Sequence, residues 1–123
     1  MSDTKTIRVP GPDHPITITP FAGRVVVKAG GKIAADSRRA LVLQESFYPP
    51  VTYIPRADAD AGLLTPSAHT TYCPYKGDCS YFSLPGAPDA VWMYAQPYDA
   101  VAAIKEHLAF YPNKVDSIEL LPD

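Results

Sequence analysis

Proline sets the first limit on what this chain can fold into. Fourteen of its 123 residues are proline, more than twice the usual share of about one in twenty, and they punctuate the whole length. Proline fixes φ and lacks an amide donor, so it breaks helix interiors and central strands but suits turns and strand ends. A chain divided this way is expected to build many short strands joined by stiff turns. The apolar share of 46% and charged share of 20% are those of a folded protein and not of a disordered linker. A length of 123 residues suits one domain with a real core, so a single domain over residues 1–123 is expected.

Between the prolines the strand signals are local. Gly11-Pro12-Asp13-His14-Pro15 is turn chemistry, and Ile16 to Thr19 alternates as a half-buried strand does. Arg24 to Ala29 and Lys32 to Ala35 flank Gly30-Gly31, a hairpin signal because both loop positions tolerate positive φ. Further strands are expected over Arg39 to Glu45, Val51 to Ile54, Cys79 to Leu84, Ala90 to Ala95, and Val115 to Leu120. Asp58 to Gly62 reads as loop. One helix is expected after Pro97, where Val101, Ile104 and Leu108 fall at i, i+3 and i+7, with Asp99 near its start and Lys105 and His107 near its end. The expected fold is mainly β: a compact antiparallel sandwich or roll with one short helix in the C-terminal half.

Formal net charge is −2, which argues against nucleic acid or an anionic membrane as partner. The first residues, Met-Ser-Asp-Thr-Lys, lack a secretory pattern, and no apolar run approaches a membrane span. A cytoplasmic location is expected, with the two cysteines as free thiols.

The residues with chemical potential gather between His69 and Tyr81. Pro74 and Gly77 suit a tight bend between two strands that would present Cys73 and Lys76. An ammonium beside a thiol favours the thiolate nucleophile, and His69 can serve as base or hydrogen-bond partner. The plainer alternative keeps Cys79 as a small buried hydrophobe and His69 as a structural histidine, while for Cys73 both readings stand because Lys76 and His69 are close in sequence. His69, Cys73 and Cys79 could also ligate zinc with a fourth ligand from Glu45, Asp78 or His107, but a short Cys-x-x-Cys knuckle is missing. No cofactor is therefore expected.

Two further clusters follow strands. Arg56 offers a planar fork for a carboxylate or phosphate, or else a structural ion pair with Glu45 or Asp58. Asp58 and Asp60 read more simply as a solvated loop than as a cation site. In Val91-Trp92-Met93-Tyr94, Trp92 and Tyr94 share one strand face and Met93 takes the other. Such a pair can floor a pocket or pack a core. Eight tyrosines against four phenylalanines favour a cavity with polar lining. Glycine-rich phosphate loops and a Gly-x-Ser-x-Gly elbow are absent.

Tyr53-Ile-Pro-Arg56-x-Asp58, Cys73-Pro-Tyr-Lys76-Gly77 with Tyr81, and Trp92-x-Tyr94-x-x-Pro97 together resemble the domain-of-unknown-function family numbered four-two-seven. That family is sometimes filed under a nucleotidyltransferase-like label. His14-Pro15, the glycine hairpin, Ile33-Ala34 and Glu45 extend the resemblance over nearly the whole chain. It implies a compact antiparallel β domain with one short helix, akin in shape to the β-tent group, whose members carry a zinc knuckle or an aromatic ligand cage. The chain departs from the zinc-bearing pattern, and it lacks the glycine-serine and paired-aspartate signature of metal-assisted nucleotidyl transfer.

The functional expectation is a small-molecule-binding domain. Glu45, Tyr53, Arg56, Trp92 and Tyr94 would line a cleft with His69, Cys73 and Lys76, for a ligand that is anionic, carbonyl-bearing or ring-containing. The first alternative is an enzyme with Cys73 as nucleophile, Lys76 as activator, and His69 or Glu45 as acid–base group. The second is a structural or protein-interaction module.

Overall fold

The computed structural model describes residues 5–123; the start of the chain, read above for an export signal, lies largely outside them. Among the described residues the strands are β1 (Ile16–Pro20), β2 (Gly23–Ala29), β3 (Lys32–Ser37), β4 (Leu41–Glu45), β5 (Val51–Pro55), β6 (Thr65–Cys73), β7 (Gly77–Leu84), β8 (Ala87–Met93), β9 (His107–Phe110) and β10 (Ser117–Pro122). They form two antiparallel sheets, one in the order β1-β4-β5-β9-β8-β7-β6 and one in the order β10-β2-β3. The mainly β sandwich expected from the sequence is the fold observed. No helix among the described residues is long and apolar enough to cross a membrane.

The small sheet covers one face of the large one. Val25, Val27, Ala34 and Ala35 pack there against Ile54, Phe82, Leu84, Val91, Met93, Leu108 and Phe110, all buried. The Gly30-Gly31 loop turns β2 into β3 with φ of 59° and 77°, the left-handed pair that a two-residue hairpin loop requires. Asp116 accepts from the Gly31 amide at 2.9 Å, which ties this turn to the entrance of β10.

Three features differ from expectation. The strand implied ahead of the Pro74 and Gly77 bend is present as β6, but the sequence does not mark its extent, because it is an exposed edge strand rich in threonine and serine and lacks the apolar alternation of a half-buried strand. The expected helix shrinks to a 3₁₀ segment, Asp99–Ile104, which buries Val101 and Ile104. Glu106 then takes a φ of 54° and the chain enters β9, so Leu108 is a strand residue. There it sits opposite Ile54 on one side and Met93 on the other. Burial between two strands prevails over the helical spacing, a case of tertiary context overriding local pattern.

Candidate functional site

The large sheet is continuous in order but not in pairing. β5 and β9 meet at two register positions, Ile54 with Leu108 and Pro55 with His107, and no ladder pairs run between them from Tyr53 back to Val51. Strands β1, β4 and β5 thus form a wing, and β9, β8, β7 and β6 form the body. Between wing and body lies a cavity of about 280 Å³. The wing and its outgoing loop contribute Leu43, Glu45, Tyr48, Pro49, Val51 and Tyr53 to its lining, and the body contributes Lys76, Cys79, Tyr81, Trp92, Tyr94 and Tyr111.

Strand alternation makes this lining. On β5, β7, β8 and β9 the residues Ile54, Phe82, Val91, Met93, Leu108 and Phe110 turn to the sandwich core. Their neighbours Tyr53, Tyr81, Trp92, Tyr94 and Tyr111 belong to a second cluster on the other face. Successive side chains point to opposite sides of a strand, so each hydroxyl or indole is carried to the cleft by a neighbour that anchors the core.

Two side-chain bonds bridge wing and body across the opening. The Trp92 indole donates to the Tyr53 hydroxyl at 3.2 Å, with the two rings edge to face at 6.3 Å. At the other end the Lys76 ammonium donates to Glu45 Oε1. Lys76 is only 7% exposed, and a lysine is almost never buried so deeply without a partner. Its backbone is held by the β6–β7 hairpin: the Lys76 amide donates to the Cys73 carbonyl at 3.2 Å, and the Tyr98 amide donates to the Lys76 carbonyl at 3.0 Å. Gly77 follows with a φ of 108°, a backbone that side-chain-bearing residues rarely adopt.

Glu45 is held from both sides. His14 Nε2 lies 2.7 Å from its Oε2, and the His14 ring stacks on Tyr75 at 4.1 Å, nearly parallel. Burial of Glu45 raises the proton affinity of its carboxyl, but hydrogen bonds from Lys76 and His14 and their charges outweigh this and hold it below its ordinary value. Burial pushes the Tyr53 and Tyr94 hydroxyls well above the usual phenol range. Tyr81, bonded to Thr71 at 2.9 Å, is pushed up to about 12, chiefly by burial. These hydroxyls are therefore neutral at physiological pH.

The residues singled out in the sequence separate into two groups. Glu45, Tyr53, Lys76, Trp92 and Tyr94 line the one cavity. Cys73 sits behind Lys76, its Sγ 3.8 Å from Nζ, and is half-buried. His69 lies four residues back along β6, roughly 13 Å at strand rise; its ring lies against Tyr81 at 4.6 Å, so it is no hydrogen-bond partner for Cys73. Arg56 is exposed, its guanidinium 5.0 Å over the ring of Phe82, on the sandwich face away from the cleft. It pairs neither with Glu45 nor with Asp58, which is bonded by Arg39 at 2.8 Å and Ser37 at 2.7 Å. Among the described residues, His69, Cys73 and Cys79 do not gather with a fourth ligand.

The cleft also takes in Tyr48, Cys79, Tyr81 and Tyr111, with His14 behind Glu45, none of them expected there from the sequence. Same-face spacing on β7 places Cys79 and Tyr81 together, which alternation alone predicts. His14 carries no comparable signal, because its contact with Glu45 spans 31 residues of chain.

A family model described as Domain of unknown function (DUF427) matches residues 17–120. The chain belongs to the DUF427 family. Comparison with curated proteins finds no match. The DUF427 match includes every residue that lines the cleft, whereas His14, the second partner of Glu45, precedes it.

Proposed function

We propose that this DUF427 protein is a small-molecule-binding domain, and that the cleft between wing and body takes a ring-containing ligand bearing a carbonyl group. The observation that carries this reading is a buried ammonium at the end of an aromatic-walled cavity. An ammonium has three N–H donors. Glu45 takes one and the Cys73 sulfur makes a long contact with a second, so a ligand oxygen has the third. Trp92, Tyr48 and Tyr111 supply flat surfaces for a ring, and pockets of this kind pair apolar walls with a few fixed polar groups. Glu45 beside Lys76 cancels most of the local charge. This favours a neutral carbonyl over a free carboxylate, which Glu45 would repel. Arg56, originally a candidate clamp, has no part in it.

A thermal-shift screen against a metabolite panel tests the reading. A ligand at a hundredfold excess over its Kd stabilises the fold by about 2.7 kcal/mol, a rise of several degrees. The rise should disappear in Lys76→Met and Trp92→Ala. If no panel member raises the melting temperature, or the same ligands act equally on both variants, the proposal is wrong.

An enzymatic second reading rests on the contact between Cys73 and Lys76. If it is correct, Lys76→Met slows alkylation of Cys73 by iodoacetamide; equal rates in both proteins would remove its basis.

A further inference from the structure

A second hollow adjoins the cleft. It is a groove of about 340 Å³ lined by Pro50, Val51, Thr52, Trp92, Phe110, Pro112, Ile118 and Leu120. Val51 and Trp92 belong to both linings, so these two side chains stand between the hollows. They stand where β5 and β9 lack ladder pairs, which allows the groove to collect residues from both strand faces. The two hollows differ in chemistry. Glu45, Lys76 and the tyrosines make the cleft polar, whereas every groove side chain except that of Thr52 and the Trp92 N–H is purely apolar. Leu120 is 48% exposed in a position where solvation of an aliphatic side chain brings no benefit.

Resting on the binding function proposed for the cleft, we infer that the ligand carries an apolar tail, which passes Val51 and Trp92 into the groove against Ile118 and Leu120. Volume permits one occupant for both hollows: ligand cavities usually measure about 300–1,000 Å³, and the cleft and groove, about 280 and 340 Å³, together lie within that range. The lining supports it, since an apolar groove with no charged wall offers nothing to a second polar ligand. A tail reaching Leu120 bridges the two sheets, because Val51, Trp92 and Phe110 belong to the large sheet and Ile118 and Leu120 to β10.

The test uses the full chain and its single tryptophan, which stands at the junction. Benzamide, 4-butylbenzamide and 4-octylbenzamide share a ring and a carbonyl and differ only in tail. Quenching or blue shift of Trp92 emission reports their binding. Each methylene removed from water strengthens binding up to about fourfold, so the octyl compound should bind at least ~10-fold more tightly than the butyl one. Leu120→Asp, at an exposed site where folding should survive, should abolish that gain and leave benzamide itself unaffected. A gain that is absent, or that persists in Leu120→Asp, overturns the tail and leaves the cleft reading standing. Failure of all three compounds to bind overturns the tail and counts against the ring-and-carbonyl ligand as well. Dimer formation by sedimentation that Leu120→Asp abolishes would assign the groove to a second copy of the chain and overturn the tail.

Discussion

The two faces of the large sheet are built from adjacent residues yet obey different rules. The sandwich face, with Ile54, Phe82, Val91 and Leu108, is aliphatic and aromatic without hydroxyls, and is closed by a second sheet. The cleft face, with Tyr53, Tyr81, Trp92 and Tyr94, carries a polar atom on each of these side chains and has a cavity above it. A fold that needed only stability would fill both faces with the first kind of residue, since interiors gain most from close apolar packing. Leu43, Val101, Ile104 and Ala109 give the cleft face a buried apolar base of its own, yet around the cavity the sequence keeps hydroxyls, a carboxylate and a buried ammonium.

The largest effect expected from breaking this contrast is on the sandwich side. Leu108→Ala should cost about 2–5 kcal/mol in urea unfolding, as a lost core leucine with a cavity left behind does, while the affinity of any cleft ligand per folded molecule stays the same. A loss under 1 kcal/mol would mean that Leu108 is not held in a close-packed core.

Lys76→Met comes next. It leaves Glu45 with His14 alone, and the loss should be about 2–3 kcal/mol, since orphaning one partner of a buried pair costs about 3–5 kcal/mol and Glu45 keeps its histidine. Replacing both partners, Lys76→Met with Glu45→Leu, should regain part of that loss. If the double variant is as unstable as the sum of the singles, the pair is not the unit described.

The pH response sharpens the comparison further. Glu45 in the folded protein has its pKa held below the ordinary 4.5, so the unfolded chain binds its proton more readily. Its contribution to stability is complete above the ordinary carboxyl range and is lost as pH falls through the folded value. Wild type should accordingly lose stability more steeply than Glu45→Gln on acidification below about pH 4.5. Parallel curves would show that Glu45 is not so held.

A smaller loss, about 1 kcal/mol, is expected for Trp92→Phe, which keeps an aromatic surface but removes the donor to Tyr53. Arg56→Ala should have the smallest effect. It removes one exposed cation over Phe82, a contact of about 0.5–1 kcal/mol at most, and should leave every cleft ligand unaffected. A ligand defect in that variant would return Arg56 to the site.

What is decided locally is legible in the sequence. Gly30-Gly31, the paired faces of Trp92 and Met93, and the bend at Pro74 and Gly77 are each decided within a few residues, and the structure has them all. Lys76 was legible as a cation beside Cys73, but its stronger partner, Glu45, lies 31 residues away and could not be read from spacing. β9 was hidden for the same reason: Leu108 and Phe110 find their strand neighbours in distant segments, while nearby Val101 and Ile104 imitate a helix. Arg56 follows Tyr53 closely in sequence but lies past the end of β5, where the chain turns to the other face and sets its guanidinium over Phe82.

The prolines noted at the outset have a consequence at the margins of the sheets. Among the described residues the large sheet does not close on itself, and β1 and β6 are its outer strands. β1 follows Pro15 and ends at Pro20, and β6 carries Pro66 beside an irregularity in its pairing with β7. A ring in place of an amide hydrogen gives an approaching strand less to hold, a common safeguard against edge-to-edge polymerisation. The residues that cut this chain into short pieces thereby also leave its outer strands fewer amide donors with which a neighbouring strand could pair.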